Sequence, residues 1–306
     1  MIVRPASPST FSLLFSMRGS VVPVVWRRVL FTVGVAVLVT VVHGTLGPLK
    51  ITLTPTPFSL IGLTLAIFLG FRNSVSYDRF WEARKLWGEV LVVTRNLGRQ
   101  TLTLVDHLEA EEKKVLLYRL AAFAHVLRHQ LRGSDPSADL ARLLPAGECA
   151  AVLAQPNRPN MLLERIGAAY AALGRAGRVS PQLLANIDEQ ISLLSHAYGG
   201  CERIRHTPIP YAYILLLHRT VHLYCYLLPF GLVDSVGVMT PLVVGIVSYT
   251  FFGLDTLGDQ IEDPFDTLPN DLPLNALCHT IESNLLMLLN EPLTTGPQPD
   301  ASGVLL

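Results

Sequence analysis

The sequence has few charged residues, no excess of either charge and no closely spaced cysteines. Only 16% of its 306 residues are charged, and 24 Lys and Arg residues balance 24 Asp and Glu residues. This balance argues against a nucleic-acid-binding protein, which is expected to carry a basic excess. The wide spacing of the cysteines predicts free buried thiols rather than disulfides or a structural zinc site. The cysteines are Cys149, Cys201, Cys225 and Cys278.

The sequence also lacks the local motifs of common enzyme classes. It contains no glycine-rich phosphate loop, no G-x-S-x-G nucleophile elbow, and no kinase or dinucleotide-binding fingerprint. We therefore expect no enzyme activity, no catalytic residues and no cofactor.

Long apolar runs are what the sequence has instead. Half of the residues are hydrophobic and the mean hydropathy is +0.40, values typical of membrane proteins. Four stretches of about 20 residues are long enough to cross a bilayer. They are residues 29–49, 51–71, 207–233 and 235–254. Short turns join them into two predicted transmembrane hairpins, residues 29–76 and 207–258.

Basic residues flank the same ends of these stretches. They are Arg18, Arg27, Arg28, Arg72, Arg79, Arg84, Lys85, Arg203 and Arg205. The positive-inside rule makes all these ends cytoplasmic, so both termini are predicted to be in the cytosol. The predicted cytosolic parts are an N-terminal segment 1–28, a helical domain 77–206, an acidic and helical segment 259–289, and a disordered tail 290–306.

The central segment 77–206 is too charged for lipid and has the periodicity of amphipathic helices. One apolar stripe consists of Leu116, Leu120, Phe123, Leu127 and Leu131, and another of Ile187, Ile191, Leu194 and Tyr198. Both stripes predict helices that bury one face.

An uncharged apolar stretch runs without a break into a charged, aromatic one between Pro57 and Gly88. Within it, Leu63, Ile67 and Phe71 recur every four residues and therefore share one helix face. Taken alone, the four-residue spacing favours an interpretation in which these side chains pack against lipid or against other spans. If the helix lines a pore, the three side chains would form apolar rings that gate by dewetting.

The run PFSLIGLTLAIFLGFRN followed by YDRFWEARKLWG resembles the bacterial bestrophins. The segments GGCERIRHTPIPYAY, TPLVVGIVSYTFFGLD and IEDPFDTLPNDLPLNALCHTIE resemble the same family in the same order, so the resemblance covers residues 16–289. It implies an all-α, four-span integral protein of the bacterial inner membrane that assembles as a homopentameric ring. It also places Leu63, Ile67 and Phe71 in the pore neck.

The resemblance implies an ion channel whose partners are further copies of the chain, membrane lipid and permeant monovalent ions. Cations are expected, because the bacterial relatives that resemble this chain favour them. Acidic rings formed by Asp78 and Glu82 would also favour cations, although Arg72 and Arg79 lie close enough to argue the reverse. The first alternative is a chloride or anion channel of the same architecture, and the second is a non-conducting membrane scaffold.

The family also has a second constriction, where the cytosolic vestibule opens. The resemblance places it within residues 179–184, and Gln182 is the best candidate. A ring of polar Gln side chains would be wetter, and a weaker barrier, than an apolar ring.

Arg219 lies inside the third stretch, and Asp255 directly follows the fourth. Arg219 is about three turns into the third stretch, where a charge is costly and is normally paired. If the third and fourth stretches are antiparallel, Asp255 lies at a similar depth, so an Arg219–Asp255 ion pair is predicted.

Glu262, Asp263 and Asp266 follow the fourth stretch, where eukaryotic bestrophins carry a calcium clasp. Calcium prefers about six to eight oxygen ligands, and this segment supplies few carboxylates. We therefore predict no required metal and opening that does not depend on calcium. The alternative role of these acids is to end one helix and cap the next.

Two histidine pairs have the four-residue spacing that can bind zinc, namely His125 with His129 and His218 with His222. No third ligand is evident near either pair in the sequence, so packed or solvated histidines are favoured.

Overall fold

The structure is a computed structural model. It describes residues 1–2, 11, 16–17, 19–42, 45–46, 49–50, 54–293, 295–300 and 303–305. Arg18, one of the basic residues used to orient the first apolar stretch, lies outside these described residues.

Helices make up nearly all of the regular structure in the described residues. They are α1 Val22–Val41, α2 Pro55–Leu104, α3 Ala110–Arg132, α4 Ser137–Leu143, α5 Ala146–Leu153, α6 Arg158–Arg175, α7 Pro181–His206, α8 Tyr211–Val236, α9 Thr240–Glu262 and α10 Leu274–Leu288. Strands β1 Thr45–Leu46 and β2 Leu49–Lys50 pair antiparallel, with Thr45 opposite Lys50 and Leu46 opposite Leu49. Apart from this small hairpin, the predicted all-α fold is confirmed.

Three segments of the described chain are long and apolar enough to cross a membrane: Val22–Val41, Pro55–Leu104 and Tyr211–Glu262. The third contains α8 and α9, which are separated by a 3-10 turn at Gly237–Met239. Gly237 has a φ of 58°, a left-handed conformation that glycine adopts without steric cost. The count of four spans stays a prediction.

Helix α1 begins and ends earlier than the predicted first span. The Ser20 hydroxyl accepts a hydrogen bond from the Val22 N–H at 3.1 Å, and Pro23 lies in the first turn. Both features favour a helix start at this point. The apolar run continues beyond Val41, but the chain there enters the β1–β2 hairpin instead of extending the helix.

The chain forms two compact units. The apolar unit contains the described residues within 4–80 and 208–263, and the polar unit contains those within 1–3, 81–207 and 264–306. The chain therefore passes from one unit to the other at 80–81, 207–208 and 263–264. The predicted boundaries are at 76–77, 206–207 and 258–259. Helix α2 contributes its first half to the apolar unit and its second half to the polar unit.

Four helices build the core of the apolar unit. Its largest cluster consists of Val25 from α1, Leu65 and Leu69 from α2, Leu217, Val221 and Cys225 from α8, and Phe252 from α9. A second cluster contains Phe58, and a Cβ added to Gly231 would lie 2.4 Å from its ring. Glycine at 231 therefore allows α8 to pack directly against the Phe58 ring.

Helix α3 is the main buried helix of the polar unit. A capping box between Glu109 and Glu112 starts it, and Gly133, with a φ of 63°, ends it. Every residue of the two predicted apolar stripes is buried. This agrees with the helices predicted from their periodicity.

All four cysteines are free and buried, as predicted. Burial raises the pKa of both Cys201 and Cys278 to about 12. Since the thiolate is the reactive form, these two thiols are inert at neutral pH.

Two backbone contacts involve described residues of the predicted disordered tail 290–306. Gly303 donates its N–H to the Asp300 carbonyl at 2.8 Å, and Val304 forms an isolated antiparallel bridge with Ile2. The disorder of this tail stays a prediction.

Candidate functional site

Helix α2 has two distinct faces within the apolar unit. Phe58, Leu65, Leu69, Arg72 and Ser76 are buried. Leu63, Ile67 and Phe71 are 61%, 49% and 62% exposed. Because an α-helix turns by about 100° per residue, Leu63 points away from Arg72. The apolar row thus lies opposite the face that builds the core.

The exposed row is regular along the helix axis. Successive members of Leu63, Ile67 and Phe71 are about 6 Å apart, which is just over one helical turn. The structure therefore brings the three predicted neck residues onto one face that the core of the unit does not use. A row of this kind on a single chain marks a surface for lipid or for further copies of the chain.

The charged residues that follow the row divide between the two faces. Asp78 is exposed about two turns beyond Phe71 and on the same side of α2. No cation lies within ion-pair distance of Asp78 among the described residues. Arg72 is buried on the opposite face, and Arg79 is half-buried and donates its Nε–H to the Glu262 carbonyl at 3.2 Å.

Arg72 is the centre of a buried ionic cluster. Its Nη1 lies 2.8 Å from Oδ1 of Asp255, and both side chains are fully buried. Its Nη2 pairs with Asp259 and lies 3.9 Å from Oε2 of Glu262. A buried charge is costly unless it is paired, and this cluster supplies the pairing for Arg72.

The predicted Arg219–Asp255 ion pair is corrected by this arrangement. The second oxygen of Asp255, Oδ2, lies 2.8 Å from Nδ1 of His218, while Arg219 is exposed. Adjacent residues on a helix point about 100° apart, so only one of His218 and Arg219 can face α9. The cation that Asp255 pairs with comes instead from α2.

His222 completes a polar group beside this cluster. Its Nδ1 donates to the His218 carbonyl at 2.8 Å, and the two imidazole rings lie 4.3 Å apart. The sequence shows the histidine pair through its spacing, but it does not show that Asp255 from α9 lies against it.

The remaining predicted site residues of the polar unit lie in separate places. Glu82 pairs with Arg203, so its charge is countered. Gln182 is exposed in the first turn of α7, whose N-cap is Ser180. Its role in a constriction stays a prediction.

The acidic residues of the predicted calcium segment take part in hydrogen bonds. In the apolar unit, Oε1 of Glu262 accepts from the Ile209 N–H at 3.1 Å, and Asp263 is the C-cap of α9. In the polar unit, Oδ1 of Asp266 accepts from the Thr267 N–H at 2.9 Å. Asp263 at the end of α9 agrees with the first part of the alternative role, but the N-cap of α10 is Pro273, so none of these acids caps the next helix.

A second ionic cluster lies in the polar unit. The Nε2 of buried His125 is 2.8 Å from Oε2 of Glu282, and its Nδ1 is 3.3 Å from Oδ2 of Asp139. Burial lowers the pKa of His125, but these carboxylates outweigh burial and raise it above its ordinary value. Burial raises the pKa of Glu282, but His125 and Arg142 outweigh it and lower the pKa to about 2.

The fold and the exposed apolar row define a helical membrane protein with one long helix that presents a regular unburied face. The family described as Bacterial/Fungal Bestrophin protein matches residues 1–287. The chain belongs to this bestrophin family.

Relatives from several bacteria support this membership. A voltage-dependent anion channel-forming protein of Ralstonia nicotianae is 42% identical over 293 residues, which is 95% of each chain. The Escherichia coli protein YneE, which carries the same description, is 41% identical over 294 residues, again 95% of each chain. A crystal structure of a bacterial bestrophin homologue from Klebsiella pneumoniae is 44% identical, with a TM-score of 0.85 over 88% of this chain and 99% of that one.

Proposed function

We propose that the protein is a homopentameric ion channel of the bacterial inner membrane, with both termini in the cytosol. Five copies of α2 would surround a central pore, with Leu63, Ile67 and Phe71 facing the axis. The observation that carries the proposal is the exposed row on the side of α2 opposite its buried face. One chain cannot enclose a central pore with this row, so a closed ring of copies is required.

The proposed neck acts as a hydrophobic gate. Its apolar rings offer no polar ligands, so a monovalent ion must keep most of its hydration as it passes. A constriction of this kind stops conduction by losing its water when it narrows. Further along the path, a ring of Gln182 side chains would form a second, wetter constriction.

Cations are the proposed permeant ions, because of the charges that follow the neck. Asp78 is exposed and unpaired among the described residues, whereas Arg72 is buried on the other face. A ring of five Asp78 carboxylates would create a negative potential that attracts cations.

An anion channel of the same architecture is the second candidate. It is favoured by the description of the Ralstonia nicotianae and Escherichia coli relatives as voltage-dependent anion channel-forming proteins. The apolar neck carries no charge and fits either ion, so selectivity measurements separate the two candidates.

Opening is proposed not to depend on calcium. Glu262 and Asp266 already accept backbone hydrogen bonds, and calcium needs about six to eight oxygen ligands. Equal open probability with calcium and with a chelator is the expected result. Loss of current in the chelator would contradict this part of the proposal.

Single-channel recording of purified protein in planar bilayers under a salt gradient tests the proposal. The parent is compared with Ile67→Ala and Phe71→Ala, which widen the neck, and with Leu38→Ala as the control. Leu38 is 64% exposed on α1, so it matches the neck residues in character but not in position. Larger or more frequent openings are expected only in the two neck variants.

Each outcome has a distinct meaning. A reversal potential near the cation equilibrium value supports the first candidate, and one near the chloride value supports the second. An equal effect of Leu38→Ala would contradict the neck assignment. Silence from all proteins, together with a monomer in sedimentation, would favour a non-conducting scaffold.

A further inference from the structure

We propose that His218, His222 and Asp255 form a binding site for a divalent transition-metal cation, for which zinc is best suited. One ligand atom from each residue lies within 4.8 Å of the other two. In the part of the chain that the structure describes, no other three His, Cys, Asp or Glu side chains have ligand atoms this close together. The third ligand missing from the sequence pattern is therefore supplied by α9.

Hydrogen bonds around the group position Oδ2 of Asp255 and Nε2 of His222 as ligand atoms. Arg72 holds Oδ1 of Asp255 at 2.8 Å, which leaves Oδ2 toward the histidines. The Nδ1–H of His222 donates to the His218 carbonyl, which leaves the lone pair on Nε2. Outer partners of this kind fix the orientation of metal ligands and the tautomer of metal-binding histidines.

His218 supplies the remaining donor. Its Nδ1 lies 2.8 Å from Oδ2 of Asp255, so the Nδ1–H donates an ordinary hydrogen bond to this carboxylate. A metal ion would take the place of this proton. The His218 side chain is 40% exposed in the single chain, so the packing of the apolar unit does not close the site.

The local charge also favours a divalent cation. Arg72 has three carboxylate partners, Asp255, Asp259 and Glu262, so the acids outnumber the guanidinium. Arg79 also lies beside Glu262, so with neutral histidines these groups carry one net negative charge. A cation bound at Asp255 would offset this charge in a place where uncompensated charge is costly.

The chemical type of the three ligand groups determines which metal ion is preferred. Two imidazoles and one carboxylate leave a fourth position for water, the usual coordination of open zinc sites. Calcium and magnesium prefer oxygen ligands alone. Because the ligands come from α8 and α9, a bound ion would join these two helices.

The other histidine pair shows what excludes a metal. At His125 and His129, the carboxylate of Asp139 lies 2.6 Å from Arg128, and Glu282 is held by Arg142. Arginines contact both oxygens of Asp139 and both oxygens of Glu282, whereas Arg72 contacts only one side-chain oxygen of Asp255.

Equilibrium dialysis of the purified full-length protein against Zn²⁺, with metal content measured by mass spectrometry, tests the site. The variants are His218→Gln and His222→Gln, and the control is His196→Gln, whose side chain is 74% exposed. We expect one zinc per chain in the parent and the control, and at least about tenfold weaker binding in both variants. Zinc should also raise the unfolding temperature of the parent but not that of the variants.

A second probe keeps the test decisive if His218→Gln fails to fold. Co²⁺ bound by histidine in a tetrahedral site gives visible absorption bands, which should appear in the parent and be lost in His222→Gln. No stoichiometric zinc in the parent, or unchanged zinc binding in a folded His222→Gln protein, would overturn the proposal. These readouts measure bound metal, so they do not depend on conduction.

Discussion

The fully buried side chains of Arg72 and Asp255 form an ion pair with 2.8 Å between Nη1 and Oδ1, and so join α2 to α9. Removing one partner of a buried pair leaves the other charge uncompensated, which costs more than the pair itself contributes. The stability of the apolar unit therefore depends on both residues being present.

We expect Asp255→Asn to destabilise the protein by about 1.5 to 3 kcal/mol, because Arg72 loses its fully buried partner and keeps only Asp259 and Glu262. The control is Arg219→Gln at an exposed position, with an expected change of about 0.5 kcal/mol or less. Thermal unfolding in detergent measures both. The double variant Arg72→Met with Asp255→Leu should be more stable than Asp255→Asn alone. Equal effects of Asp255→Asn and Arg219→Gln would refute the assigned pairing.

Gly231→Ala should destabilise the apolar unit by about 1 to 3 kcal/mol through overpacking. The added Cβ would lie 2.4 Å from the Phe58 ring, and a ring packed in the core has little room to move. Gly34→Ala on α1 is the matched control, because its Cβ meets no atom within 4 Å. There, alanine should leave stability unchanged or raise it by up to about 1 kcal/mol. Similar losses in both variants would contradict this explanation.

The stability of the polar unit should fall as the pH rises above neutral. The folded-state pKa of His125 is raised, so its protonation stabilises the fold below its ordinary pKa of 6.5, and this contribution is lost as the pH rises through the raised value. The pKa of Glu282 is lowered from 4.5 to about 2, so its contribution is present above pH 4.5 and is lost as the pH falls toward 2. The two contributions coincide between pH 4.5 and 6.5.

Unfolding temperatures at pH 6.5 and at about pH 9, below the ordinary pKa values of Lys and Tyr, test this dependence. His125→Gln should lose less stability over this interval than the parent, and exposed His196→Gln should follow the parent. Parallel curves for the parent and His125→Gln would show that His125 does not carry the effect.

Asp78→Asn should shift the reversal potential toward the chloride equilibrium value, with a several-fold fall in cation over anion permeability. Glu82→Gln should shift it less, because Arg203 already counters the Glu82 charge. The salt-gradient recordings described above measure both variants. A larger shift for Glu82→Gln would reverse the assignment.

Features that depend on a single helix could be predicted from the sequence. The shared face of Leu63, Ile67 and Phe71 follows from the helical period, and the stripe on α3 does so for the same reason. The resemblance to bestrophins predicted the family to which the chain belongs.

Features that depend on how helices are rotated against one another could not be predicted. The similar depth of Arg219 and Asp255 along the spans led to the predicted ion pair between them. The rotation of the helices about their axes instead brings Arg72 and His218 into contact with Asp255. The end of α1 was placed too late for a different reason, because hydrophobicity continues into the hairpin while the helix does not.

The Arg72–Asp255 pair also imposes an order on biogenesis, because its members are 183 residues apart in the chain. At about 5 to 20 residues per second, a ribosome needs about 10 to 40 s to synthesise the intervening segment. During that interval Arg72 has been synthesised without its three carboxylate partners. The first hairpin can therefore complete its ion pairs only after α9 has been synthesised.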